Sequence, residues 1–176
     1  MLITFTGVIL LTVLALPLAA GIVALLARRR TRAGEDHPWR RSVAEVGVVH
    51  GTVPWVWMIL LPGGDEATSR VSLVPLVDLV TIVGDEPVLA VRQIVGNLLV
   101  FAAFGALAPL RFAALASIPR VVALAAAGSA AVEIIQYTLA LDRVSSVDDV
   151  LLNAAGAGVA ALVSRRWWAP ERVSSR

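Results

Sequence analysis

The sequence predicts an all-α protein, a polytopic membrane helical bundle of about five transmembrane helices, and three observations carry that prediction. Of its 176 residues, 58% are hydrophobic and 16% charged, and the mean hydropathy is +0.82. That balance lies outside the range of a soluble domain of this size. Apolar runs close to the roughly 20 residues needed to cross a bilayer recur at about 3–27, 43–61, 91–110, 119–141 and 148–164. All 15 basic residues are arginine, and they gather in short clusters between these runs. With a net charge of only +2, such clusters are topology signals rather than a phosphate-tracking face, so nucleic acid is not an expected partner. The absence of cysteine excludes disulfides, thiolate metal sites and a cysteine nucleophile.

The run at 3–27 has no positive charge before it, and Arg28, Arg29, Arg30 and Arg32 follow it. A secretory signal has the opposite polarity, so this is read as a retained first span. The second run is interrupted by Glu45, His50 and Pro54. His50 is read as a hydrogen-bonded helix residue rather than a metal ligand, because the other histidine, His37, falls in the linker before it. Between the second and third runs, RVSLVPLVDLVTIV (70–83) is too short to span. It is either an interfacial or re-entrant piece or an apolar loop on the bundle. The third and fourth runs are joined by RFAALASIPR, whose Pro119 suits the first turn of the next helix. The fifth is short and opens with Asp148 and Asp149.

Loop charge orients the bundle. The linker 28–42 is arginine-rich, residues 62–90 carry Asp65, Glu66, Asp78, Asp85 and Glu86, the next linker has Arg111 and Arg120, and the tail 165–176 has Arg165, Arg166, Arg172 and Arg176. The positive-inside rule then places the N-terminus outside and the C-terminus inside. Trp55 and Trp57 fall at the outer level and Trp167 and Trp168 at the inner one, as aromatic belts require. Residues 1–176 are read as a single membrane domain.

Within the fourth run, SIPRVVALAAAGSAAVEIIQYTLAL, Glu133 and Gln136 stand in an otherwise apolar helix. A carboxylate near the centre of a span costs about 2.5–3.5 kcal/mol on insertion scales, so it seeks a partner or a wet cavity. The predicted topology brings Arg92, Gln93 and Asn97 of the third span to the same outer level as Glu133 and Gln136. It adds Asp142 and Arg143 from the loop, then Asp148, Asp149 and Asn153 from the fifth span. The convergence predicts a polar binding site, open to the exterior, formed by Asn97, Glu133, Gln136, Arg143, Asp148, Asp149 and Asn153. Plainer roles exist for each. Asp148 and Asp149 suit the amide groups of a helix N-terminus, Glu133 could pair with Arg143, and the amides could be interhelical hydrogen-bonding groups worth about 0.6–2 kcal/mol each. Gly156 and Ala160 continue the face of Asp149 and Asn153, which allows close helix approach just inward of the cluster.

The segments GNLLVFAAFGALAPL (96–110) and EIIQYTLALDRVSSVDDVLLNAAGAGVA (133–160) together resemble the VanZ-like family of bacterial membrane proteins, named for a teicoplanin-resistance protein. The likeness covers about 45–164, with the first span as an addition. It implies that Asn97, Glu133, Gln136, Arg143, Asp149, Asn153 and Gly156 occupy motif positions, and that RVSLVPL is similar to an Asn-Leu-hydrophobic-Pro-Phe element. Ser72 stands where that element has Asn, Leu76 where it has Phe, and Ser146 where many members carry Asp. The resemblance implies residence in the bacterial cytoplasmic membrane and an association with the cell envelope, including glycopeptide resistance for some members.

Two functions from different classes follow. One is a binding protein whose outward pocket holds a lipid headgroup or cell-wall precursor, with membrane lipids as its surroundings. The other is an enzyme acting on a lipid-linked envelope substrate, with Glu133 or Asp149 as general base and Arg143 facing an anionic oxygen. No activated nucleophile accompanies Ser145 or Ser146. A transporter is disfavoured by the absence of paired broken helices or repeats, and no metal or cofactor is expected. A purely structural bundle is the remaining reading.

Overall fold

The computed structural model describes residues 5–62, 70–141 and 144–168. The chain begins with α1 (Phe5–Leu14) and α2 (Leu16–Arg32), separated at Ala15 and followed by α3 (Pro38–Ile59). A short strand β1 (Arg70–Ser72) leads into α4 (Val77–Asp85), then α5 (Pro87–Val100) and α6 (Ala102–Arg111). After a 3-10 turn at Ala113–Leu115 come α7 (Ile118–Thr138), strand β2 (Val144–Ser146) and α8 (Val147–Ser164). Prolines open α3, α5 and α7 within their first turns, where the missing N–H costs no helical hydrogen bond.

Among the described residues, four segments are long and apolar enough to cross a membrane: Thr6–Arg32, Pro87–Arg111, Ile118–Thr138 and Val147–Trp167. They match four of the five predicted runs. The remaining run lies in α3, a helix of 22 residues, long enough at about 33 Å. It falls outside the set by composition, since Arg40, Arg41, Glu45 and His50 dilute its apolar residues. It nonetheless belongs to the bundle, packed between α2 and α6. The chain is thus an all-α, multi-pass membrane protein.

α8 is the central helix and touches α5, α6 and α7. The core it helps to form, Val100, Phe101, Val121, Ala125, Ala157 and Ala161, is rich in alanine, as expected where helices meet by close approach rather than by large side chains. At two points backbones meet directly: a Cβ on Gly105 would strike the Ala157 carbonyl, and one on Gly156 the Leu98 carbonyl. Between these contacts the third predicted span is broken. α5 ends and α6 begins at Phe101 (φ −108, ψ 11), whose ring meets Phe104 edge-on at 6.5 Å. The first span, by contrast, has few buried residues, although α2 lies against α3.

The two ends of the bundle differ. At one, Glu45 of α3 receives both Arg30 of α2 at 2.6 Å and Arg111 of α6 at 2.8 Å, while Arg30 also donates to the buried Ser42 at 2.8 Å. This joins three helix ends in the arginine-rich region. At the other, β1 and β2 pair in parallel, with Arg70 opposite Val144, Val71 opposite Ser145 and Ser72 opposite Ser146. The segment 70–83, for which the sequence left open an interfacial piece or a plain loop, is therefore a strand followed by a short helix resting on α5 and α8.

Candidate functional site

Of the expected site residues, Asn97, Glu133, Gln136, Asp148, Asp149 and Asn153 are described, and they take part in three separate junctions between elements. The first joins α5 to α8. Asp149 Oδ1 accepts from Gln93 Nε2 at 3.3 Å and from Asn97 Nδ2. Gln93 and Asn97 lie one helical turn apart on α5, so a single carboxylate oxygen on the facing helix can take both amides.

The second junction is deeper. Asn153, 1% exposed, donates from Nδ2 to Ser129 Oγ of α7 at 2.7 Å. One turn beyond Val132 on the same buried face of α7, Gln136 donates from Nε2 to the Ile59 carbonyl of α3 at 2.6 Å. That carbonyl is one of the last in α3 and has no intrahelical donor to satisfy it, which explains why an amide is placed there. The oxygens Oδ1 of Asn153 and Oε1 of Gln136 are buried without a hydrogen-bond donor among the described residues.

The third junction surrounds Ser146. Its N–H donates to Glu133 Oε2 at 3.1 Å, its Oγ donates to Asp78 Oδ2 at 2.9 Å, and the same Oγ accepts from the Asp148 N–H at 3.2 Å, capping α8. Ser145 Oγ donates to the Glu133 backbone carbonyl at 3.1 Å. Asp148, 2% exposed, turns away from its own helix. Its carboxylate accepts the N–H groups of Leu76 and Leu79, the latter at 3.1 Å, and so caps α4. The sequence suggested a carboxylate serving a helix N-terminus; the helix it serves is α4, which periodicity alone did not reveal. Leu76 adopts a left-handed conformation (φ 68) that aims the opening N–H groups of α4 at this carboxylate.

Glu133 and Gln136, three residues apart, were expected to share a face. They share a side of α7 but not a partner, because one turns to β2 and the other to α3. Arg143 and Asp142 lie outside the described residues. Ser72 and Ser146, two of the positions at which the sequence departs from the VanZ-like pattern, are direct partners across the strand pair. Sequence reasoning gave Ser146 no place in the site; its position at the start of an acidic helix, as in Ser-x-Asp, was the available cap signal.

Beside Glu133 a cavity of about 350 Å³ opens between α7, the strand pair and the start of α8. α7 contributes Ala130, Glu133, Ile134 and Tyr137, the β1 segment Val71 and Leu73, β2 Ser145 and Ser146, and the start of α8 Val147 and Val150. Glu133 is the ionisable group in its wall and accepts the Ser146 N–H there, and both serine hydroxyls donate to fixed acceptors. Among the described residues no group of three or more His, Cys, Asp or Glu side chains is placed to hold a metal ion.

No curated protein and no solved structure matches the chain. The model of one family, VanZ/LLP1, matches residues 50–168, a stretch that contains every junction above and the cavity while leaving α1, α2 and the start of α3 outside. The chain therefore belongs to the VanZ/LLP1 family.

Proposed function

We propose that this protein binds the polar headgroup of a cell-envelope component at the exterior face of the bacterial cytoplasmic membrane, with Glu133 as the principal polar contact. The observation that carries the reading is the cavity of about 350 Å³ with Glu133 in its wall, at the end of the bundle opposite the arginine clusters. By the positive-inside rule that end faces outward. Asn97, Asp149, Asn153 and Gln136 hold together the helices that shape the cavity. The cellular consequence of such binding would be an altered supply of free headgroup at the outer face, read as changed susceptibility to teicoplanin-type glycopeptides.

The competing reading, an enzyme using Glu133 or Asp149 as general base, is separated by profiling envelope lipids and wall precursors by mass spectrometry. Cells making wild-type or Glu133→Ala protein at matched levels are compared. Binding predicts identical covalent species with different amounts retained by the purified protein. A new product made only with the wild type would replace this reading with the enzymatic one.

A further inference from the structure

The cavity walls specify more about the ligand than the presence of a headgroup. Apart from Glu133, Ser145 and Ser146 its lining is hydrocarbon and the Tyr137 ring. A water-soluble precursor would meet few partners there, since the serine hydroxyls are already engaged. The rim residues Leu73, Ile134 and Tyr137 are 77%, 62% and 53% exposed. Two of them lie on α7, a membrane-spanning candidate, so the mouth opens toward the bilayer.

Size restricts the occupant. The wall from Ala130 to Tyr137 follows α7 for about 10 Å, at about 1.5 Å per residue. The volume of about 350 Å³ is many times the roughly 10–15 Å³ that a single water requires. It leaves room for part of one acyl or isoprenoid chain.

We propose that the apolar chain of a membrane lipid enters this cavity sideways between α7 and the β1 segment, bringing its head to Glu133. The inference rests on the headgroup-binding reading above and makes its ligand class lipid-linked. Moving a chain from bilayer to an apolar recess yields little hydrophobic gain. Selectivity therefore comes from the fit of the chain together with the polar contact, and the two can be tested apart.

The full-length protein is reconstituted in phosphatidylglycerol vesicles containing a minor fraction of the same lipid with a diazirine in its acyl chain. After irradiation the labelled peptides are mapped. Labelling within 130–137 and 147–150 is expected to exceed that of 16–27, in the sparsely buried first span, several-fold. Ile134→Trp at the exposed rim and Ala130→Phe in the wall are each expected to lower it several-fold, leaving labelling of 16–27 unchanged. Equal labelling of both regions, or labelling that both variants leave intact while melting as the wild type does, overturns the chain inference. The headgroup reading is probed in parallel by lipid retention in Glu133→Gln. Uniform labelling with retention that still depends on Glu133 leaves head binding standing without the chain. Concentrated labelling with retention indifferent to Glu133 overturns the headgroup reading and leaves a chain site without a head contact.

Discussion

The Asp148 carboxylate accepts the backbone N–H of Leu76, 72 residues earlier in the chain, and through the additional bond to Leu79 fastens α4 to α8. Because β1 precedes α4 and Val71 and Leu73 line the cavity, this cap also fixes one cavity wall. Asp148→Ala is expected to lose about 1–2 kcal/mol, the scale of a lost N-cap. The loss should be local. Hydrogen exchange over 76–85 should accelerate while that of α7 and α8 stays slow, and equal acceleration across all three would refute a local latch.

Asn153 and Ser129 form a buried pair in which each is the other's partner across α7 and α8. Ser129→Ala leaves the Asn153 amide without that acceptor, a loss of about 1–3 kcal/mol for an unsatisfied buried group. The combined Ser129→Ala, Asn153→Leu protein should recover much of the loss. Thermal unfolding in detergent, run as a double-mutant cycle, checks the sign of the coupling.

The backbone contacts predict a graded glycine series. Gly156→Ala and Gly105→Ala force a methyl group into carbonyl oxygens of the facing helix and should cost at least the roughly 1–3 kcal/mol of core overpacking. Gly21→Ala meets open space in α2 and should be neutral or slightly stabilising, since alanine is the better helix former. Melting temperatures of the three variants order these effects directly.

Ser72 and Ser146 are strand partners, so a larger side chain at one changes what the other can hold. Ser146→Asp alone places another carboxylate beside Glu133, Asp78 and Asp148 and removes the hydroxyl that donates to Asp78. It is expected to destabilise by on the order of 3 kcal/mol, the scale of a buried charge without compensation. Adding Ser72→Asn supplies a donor opposite the new acid and should restore part of the loss. Additivity of the two changes would contradict a direct pairing.

At the arginine-rich end, Glu45 holds two guanidinium groups from separate helices. Glu45→Gln is expected to loosen α2 from α3 and α6. Because these side chains are partly exposed, the effect should be about 1 kcal/mol and shrink with added salt. Protease access to the 33–37 turn, compared at low and high ionic strength, is a direct readout.

Much of the fold was legible because bilayer physics leaves few choices. Runs of about 20 apolar residues become helices, and four of them recur as membrane-crossing candidates. The second run was harder to judge, since Glu45 looked like an interruption; it is a staple at a helix end, a role set by Arg30 and Arg111 from distant segments. The break at Phe101 left no proline or glycine at the break itself to announce it. For the site, the expectation that Asn97, Glu133, Gln136, Asp148, Asp149 and Asn153 share one level followed from topology, while their pairings did not. Three-residue spacing could not say that Glu133 turns to β2 and Gln136 to α3, nor could a helix pattern show that Asp148 caps a neighbour. The parallel strands, three residues each, are too short for periodicity to signal.

The central claim is that the cavity beside Glu133 holds an envelope component. Native mass spectrometry of wild-type, Glu133→Ala and Ile134→Trp proteins, purified from the same membranes at matched yield, tests it most directly. The account predicts a bound lipid-linked species on the wild type that is depleted in both variants while each remains folded and monodisperse. The same species bound equally to all three proteins, or no bound species on any of them, would contradict it.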